Sequence, residues 1–229
     1  MKIILIVVAT VFLSVLAGYK YFNHKFIVYQ ESQHKQEVDF KESPRFFPDS
    51  TKMSDTEFWA LIDKSKEEHP NHFNHQMEAL KLHLSKLPNE KIVQFEKTLR
   101  EKIIELLHHD IKSLYQIIYG DYISTDEFLY FRFWIISNGS KYFETALTST
   151  DDLAEITEYN EDGESWMGIT DEAFALKNGE NSNLVFPRDQ SGMVDYDLGN
   201  YKMARTYTEL KDFKNKFPKL SKKFSSFFN

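Results

Sequence analysis

The chain has 229 residues, no cysteine and a formal charge of −7. Disulfides, thiolate metal sites, iron–sulfur clusters and cysteine nucleophiles are therefore excluded, and a general nucleic-acid binder, which carries a basic face, is disfavoured. An apolar fraction of 41%, with 15% aromatic residues, is enough for a packed core and argues against wholesale disorder.

The N-terminus reads as an address. Lys2 is followed by an uncharged, mostly apolar run from Ile3 to Tyr19. As a helix rising about 1.5 Å per residue, this run covers most of a hydrocarbon core. Tyr19, Tyr21 and Phe22, beside Lys20 and Lys25, suit an interfacial belt. The expectation is a transmembrane anchor over residues 1–22, in a single-pass protein with its body outside the cytoplasm. The alternative is a secretory signal cut after Ala17, leaving a secreted or periplasmic protein, since Val15 and Ala17 suit the small-residue cleavage pattern. Residues 23–52 are polar, lack periodicity and contain Pro44 and Pro48, the composition of a linker.

From Ser54 onward helical signals dominate. "SDTE" is a capping box, Ser54 with Glu57, ahead of Phe58, Trp59, Leu61 and Ile62. Asn74 is placed to cap a helix carrying Leu80, Leu84 and Leu87, and Pro88 suits the first turn of the next. Ile92, Phe95, Leu99, Ile103 and Leu106 or Leu107 then recur at helical spacing, with a bend expected near His109 and an end at Gly120. "STDE", Ser124 with Glu127, opens an aromatic helix that Gly139 is placed to end. Short helices are expected around 140–148, 151–159 and 164–178, then a loop over 179–205. No set of alternating strands is visible. The expected fold class is all-α, a compact multi-helix domain following the membrane helix and polar tether.

The aromatic helix raises a question of charge. Arg132 stands among Phe128, Phe131, Phe133 and Trp134. Burying a guanidinium without a partner costs several kcal/mol, so a carboxylate is expected nearby, with Asp110 and Asp126 the candidates. A structural ion pair and a ligand-binding arginine both fit. The candidate binding residues are Asp110, Tyr115, Asp126, Arg132 and Trp134.

Catalytic signals are sparse, and no catalytic residue, metal ligand or cofactor is assigned. His69, His72 and His75 in "HPNHFNH" would align for a metal on one helix, but Pro70, Asn71 and Asn74 favour a solvated turn. Glu105 and His108 have the spacing of one di-iron helix, but the other match, Glu31 with His34, lies in the linker. The acids from Thr150 to Glu164 read as a solvated face. Near the C-terminus Phe213, Phe217, Leu220, Phe224 and Phe227 form one apolar stripe among lysines. It either docks on its own domain or lies on anionic lipid.

The segments "EFWALID" (57–63), "LSKLPNEKIVQFE" (84–96), "HDIKSLY" (109–115), "STDEFLYFRFWIISNGSKYFETAL" (124–147) and "DDL" (151–153) resemble the bacterial family known as domain of unknown function 4240. "FPKLSKKF" (217–224) is similar to a closing segment of many members. Members usually carry tryptophan where Lys112 stands and an acid where Thr125 stands. The resemblance implies a compact helical domain over 53–178, with residues 179–229 as a loop and a docking basic helix; it implies no activity.

Together these features point to a non-enzymatic binding or scaffold module, held at the membrane by its leader and working through contact with an unknown protein partner. An immunity-type protein that neutralises a toxin and a metal-assisted hydrolase are the alternatives.

Overall fold

The computed structural model describes residues 51–70, 72–107, 109–119, 124–155, 163–180, 183–191 and 214–224. The leader and the linker up to residue 50 lie outside the described residues. Among the described residues there is no strand, and no helix is long and apolar enough to cross a membrane.

Helix α1 (Asp55–Glu68) starts at Ser54, whose Oγ accepts from the Glu57 N–H at 3.3 Å. The Glu57 carboxylate turns to the Ser54 hydroxyl and to Lys91 Nζ. Phe58 and Ile62 enter the core. Helix α2 (Phe73–Ser85) begins earlier than Asn74 would have it. The cap position is His72, Asn74 lies in the first turn, and Leu87 falls past the end. Gln76 accounts for the shift. Its N–H closes on the His72 carbonyl, and its buried side-chain amide donates to Ser137 O at 2.6 Å, so a tertiary bond draws the first turn inward.

Helix α3 (Asn89–Glu105) has Pro88 as its cap rather than inside its first turn. A cap residue needs its carbonyl but not its N–H, so proline loses nothing there; the Pro88 carbonyl accepts from Ile92 N–H. Ile92, Phe95, Leu99, Ile103 and Leu106 are all buried, and Leu107 packs partly against them. The chain then turns at Leu106 and Leu107, and α4 (His109–Tyr119) follows.

Helix α5 (Thr125–Ser137) is the aromatic segment, and its capping box is complete. Ser124 Oγ accepts from Glu127 N–H at 3.1 Å, and Glu127 Oε2 accepts from Ser124 N–H at 3.0 Å. Every residue from Phe128 to Ser137 except Tyr130 is buried, so α5 is enclosed on all sides, as a helix apolar around its whole circumference must be. Gly139, at φ +91°, ends it: its N–H donates to Ile136 O, and α6 (Ser140–Thr148) starts at once. Asp63 of α1 seals this corner by accepting from Ser140 N–H and Ser140 Oγ.

Two 3₁₀ segments follow, Thr150–Glu155 and Gly163–Gly168, and the second runs into α7 (Ile169–Asn178). The first covers the described part of the helix expected over 151–159, residues 156–159 lying outside the described residues, and the single helix expected over 164–178 is divided. Gly163 opens the second 3₁₀ segment against α5. A Cβ there would overlap Tyr130 O and Trp134 N, so this segment approaches the backbone of α5 as only glycine allows. Within the described part of the loop expected over 179–205 there is a short helix, α8 (Pro187–Gln190); residues 192–205 lie outside the described residues.

The segment before and through α9 (Pro218–Lys223) lies on the first 3₁₀ segment. Phe217 and Leu220 are buried in the core. Asp151 accepts from the backbone N–H groups of Lys219 and Leu220, both at 3.0 Å, while Lys219 Nζ meets Asp152 and Glu155 at 2.7 and 3.0 Å. The part of the apolar stripe that is described thus docks on its own domain. Phe213 and Phe227 lie outside the described residues.

Gly163→Ala should cost about 2 kcal/mol or more in denaturant unfolding, because backbone atoms of α5 cannot yield to the methyl group; an unchanged midpoint would contradict the close approach. The Glu127 carboxyl is held below its ordinary range by its bonds with Ser124. Its contribution is complete above the unfolded carboxyl value of about 4.3 and is lost as pH falls through the lower folded value. Ser124→Ala should therefore remove about 1 kcal/mol at neutral pH, and the deficit should shrink in acid when unfolding is measured across pH.

Candidate functional site

Arg132 has no exposed surface. Its Nη1 donates to Ile103 O at 2.9 Å and its Nε to Phe128 O at 3.3 Å, while the guanidinium lies 5.0 Å from the centre of the Phe128 ring. The Ile103 carbonyl belongs to the last turn of α3, where helix carbonyls lack intrahelical partners. Its neighbours there are satisfied locally: Lys102 O accepts from Leu106 N–H and Ile104 O from Leu107 N–H. Arg132 therefore caps α3 from the side, with its positive charge at the negative end of that helix.

The carboxylates expected beside it are placed as follows. Asp126 is exposed in the first turn of α5. Asp110 lies in the first turn of α4, with Oδ2 3.6 Å from Lys216 Nζ. Both positions favour an acid, because the first turn of a helix is its positive end. The acceptors described for Arg132 are carbonyl oxygens.

Tyr115 and Trp134 are brought together. A ladder of rings runs Tyr119–Tyr115–Phe131–Trp134–Tyr142, with centroid spacings of 4.7, 5.3, 5.4 and 5.3 Å. It joins α4, α5 and α6, and only its Tyr119 end is open, at 42% exposure. Burial pushes the Tyr115 phenol up, with the Glu127 charge adding to the effect. Tyr115 and Trp134 are both buried within this ladder.

The histidines gather without forming a chelate. The His75 ring lies 5.7 Å from His69 and 5.4 Å from His72, centre to centre. Among the described residues no group of three or more histidine or carboxylate side chains is arranged to hold a metal ion. His83 pairs instead with Glu68 at 2.8 Å. His108, and Glu31 with His34, lie outside what is described.

The sequence reading missed a second buried charge cluster, between α3 and α7. Glu96 is 1% exposed and Arg100 6%. Glu96 Oε1 accepts from Arg100 Nε at 2.8 Å, and Oε2 accepts from Thr170 Oγ1 at 2.8 Å. Desolvation raises the Glu96 carboxyl above its usual range, against the pull of Arg100. Arg100 Nη2 continues to Arg188 O, and Arg188 N–H returns to Asp171 Oδ1. Asp171 is likewise raised, chiefly by burial. A signal was available: Glu96 and Arg100 are four apart on α3, and Glu96 interrupts its apolar face one residue after Phe95.

Beside this cluster lies a groove of about 590 Å³. Val93 of α3 and Phe174 of α7 line it together with Leu184, Val185 and Gln190 from the segment before and through α8. Asn89, Glu90, Gln94 and Lys97 add polar groups. Leu184 and Val185 are 48% and 58% exposed, unusual for large apolar side chains beside a groove. None of the five residues singled out from the sequence lines it.

Arg132→Met keeps the apolar stem but leaves the Ile103 carbonyl uncapped. The expected cost is about 2–3 kcal/mol, with protection lost first at the α3–α4 junction in hydrogen exchange. A variant as stable as the parent would refute the capping role.

No curated protein and no solved structure matches the chain. One family profile does, described as Protein of unknown function (DUF4240), over residues 53–176. That match spans α1 to α7 almost entirely and covers more than half of the chain, which therefore belongs to the DUF4240 family.

Proposed function

We propose that the protein is a binding module that works through protein–protein contact and is held at a membrane by its N-terminal segment. The observation that carries this reading is the groove between α3, α7 and the Leu184–Gln190 segment. Apolar floor residues, exposed Leu184 and Val185, and a rim of amides and single charges are the composition of a contact face. The buried charges described above are committed to helix ends and to helix–helix contacts. They support a scaffold held rigid beneath such a face.

The tether rests on the uncharged run Ile3–Tyr19 with its aromatic and lysine flank. In this reading residues 1–22 anchor the chain, the following linker gives reach, and the helical domain meets its partner outside the cytoplasm. The chain should fractionate with membranes, and removal of residues 1–22 should release it. A photo-reactive side chain at position 184 should cross-link a defined protein that the same group at exposed Leu82 of α2 does not capture. Val185→Glu should reduce that yield about tenfold without lowering the midpoint of unfolding. Equal products from positions 184 and 82 would defeat the assignment of the face.

A further inference from the structure

The chain enters the bundle along the rim of the groove. Thr51 is one of the residues lining it. From there the path is fixed against α3: Met53 N–H donates to Gln94 O at 3.1 Å, and Met53 O accepts from Thr98 Oγ1 at 2.7 Å. Lys52 Nζ meets Glu101 at 2.7 Å, and the Met53 side chain is buried. Gln94 belongs both to this seam and to the lining of the groove. Whatever precedes Thr51 therefore starts out beside the groove.

Just before Thr51 the sequence reads SPRFFPDS, residues 43–50, outside the described residues. Phe46 and Phe47 stand there as a pair of rings between Pro44 and Pro48. Each proline biases itself and the residue before it toward extended backbone, so this short segment loses little conformational freedom on binding. Phe47 and Phe46 are four and five residues from Thr51, a reach of about 13–18 Å in an extended chain.

We propose that residues 44–48 fold back on their own domain, seat the two phenylalanine rings on the apolar floor of the groove, and must be displaced before a protein partner docks there. The proposal rests on the groove being the contact face and adds what competes for it.

Both shape and charge favour this occupant. The floor offers Val93, Phe174, Leu184 and Val185, the last two about half exposed. A volume of about 590 Å³ suits a ligand of two-ring size. On α3, Glu90 and Lys97 line the groove two turns apart, about 10 Å along the helix axis. In the segment, Arg45 and Asp49 stand four residues apart, about 12 Å in an extended proline-flanked chain. Running from the seam at Gln94 toward the start of α3, the segment brings Asp49 to the Lys97 side and Arg45 to the Glu90 side. Opposite charges thus meet at both ends of the ring pair.

Tethering makes a weak contact sufficient. A short connection holds its end at an effective concentration of about millimolar, so a peptide too weak to bind from solution still fills the groove. A free partner then binds with an affinity reduced by the fraction of time the groove is open.

Photo-cross-linking of the purified full chain tests this. A photo-reactive side chain at position 184 should join mainly to residues 44–48 of the same molecule, with a yield independent of protein concentration. Phe46→Ser combined with Phe47→Ser keeps the tether but removes the rings, and should lower this product about tenfold while helical circular dichroism is unchanged. Equal yield in parent and double variant would reduce the contact to mere proximity and overturn the docking. So would a product joining two molecules, which marks a second copy as the cover. In membranes, the double variant should capture the partner of the proposed face about tenfold better than the parent when partner is limiting; equal capture by both also counts against the proposal. The two failures are distinguishable. An intramolecular product with no partner captured by either chain defeats the contact face, whereas partner capture without that product defeats the self-docking.

Discussion

The enclosure of α5 is the constraint from which the rest of the architecture follows. Its side chains are apolar on every face, so no orientation leaves it half-solvated at acceptable cost. Neighbouring segments therefore have to cover it on all sides. The 3₁₀ segment Gly163–Gly168 lies against its backbone, α6 turns back from its end, and α3 and α4 also pack on it. The side-chain amide of Gln76 bonds its last carbonyl, so even the register of α2 answers to it.

Enclosure explains how a guanidinium survives in the middle of this helix. Arg132 cannot reach water, and burying its charge costs several kcal/mol unless hydrogen bonds and opposite charge compensate. The C-terminal end of α3 contributes to both, as a carbonyl that accepts from Arg132 and as the negative pole of a helix. The same device recurs in weaker form elsewhere. Asp63 seals the α5–α6 corner, and Asp151 receives the backbone N–H groups at the start of α9. Polar side chains on one element complete the unfinished ends of another.

The Glu96–Arg100 pair solves a different problem. Here two ionised groups sit side by side between α3 and α7, in a place where burial opposes charge on the acid. Such a pair adds little net stability compared with an apolar pair of equal volume. Its consequence is positional: it extends through Arg188 to the segment bearing Leu184 and Val185, and so defines one wall of the groove. The groove and the rigid bundle are thereby mechanically joined, although the residues that join them lie far apart in the chain.

Much of this was legible in advance. The caps at Ser54 and Ser124, the apolar spacing of α3 and the turn at Gly139 all rest on interactions within a few residues, and those were readable. Asn74 was misplaced because Gln76 bonds Ser137 O across the fold, and Pro88 because a cap position, one residue outside the first turn, suits proline equally well. Ring-rich composition drew Tyr115, Arg132 and Trp134 into the list of candidate binding residues; all three are buried, and the sequence did not show that Arg132 would meet the end of α3. Sequence alone determined an all-helical bundle without cysteine chemistry, since helical period, capping and composition are local properties. Tertiary structure decided which helix end received the arginine, where the second ion pair lay and which surface stayed open, because each depends on groups brought together only when the helices pack.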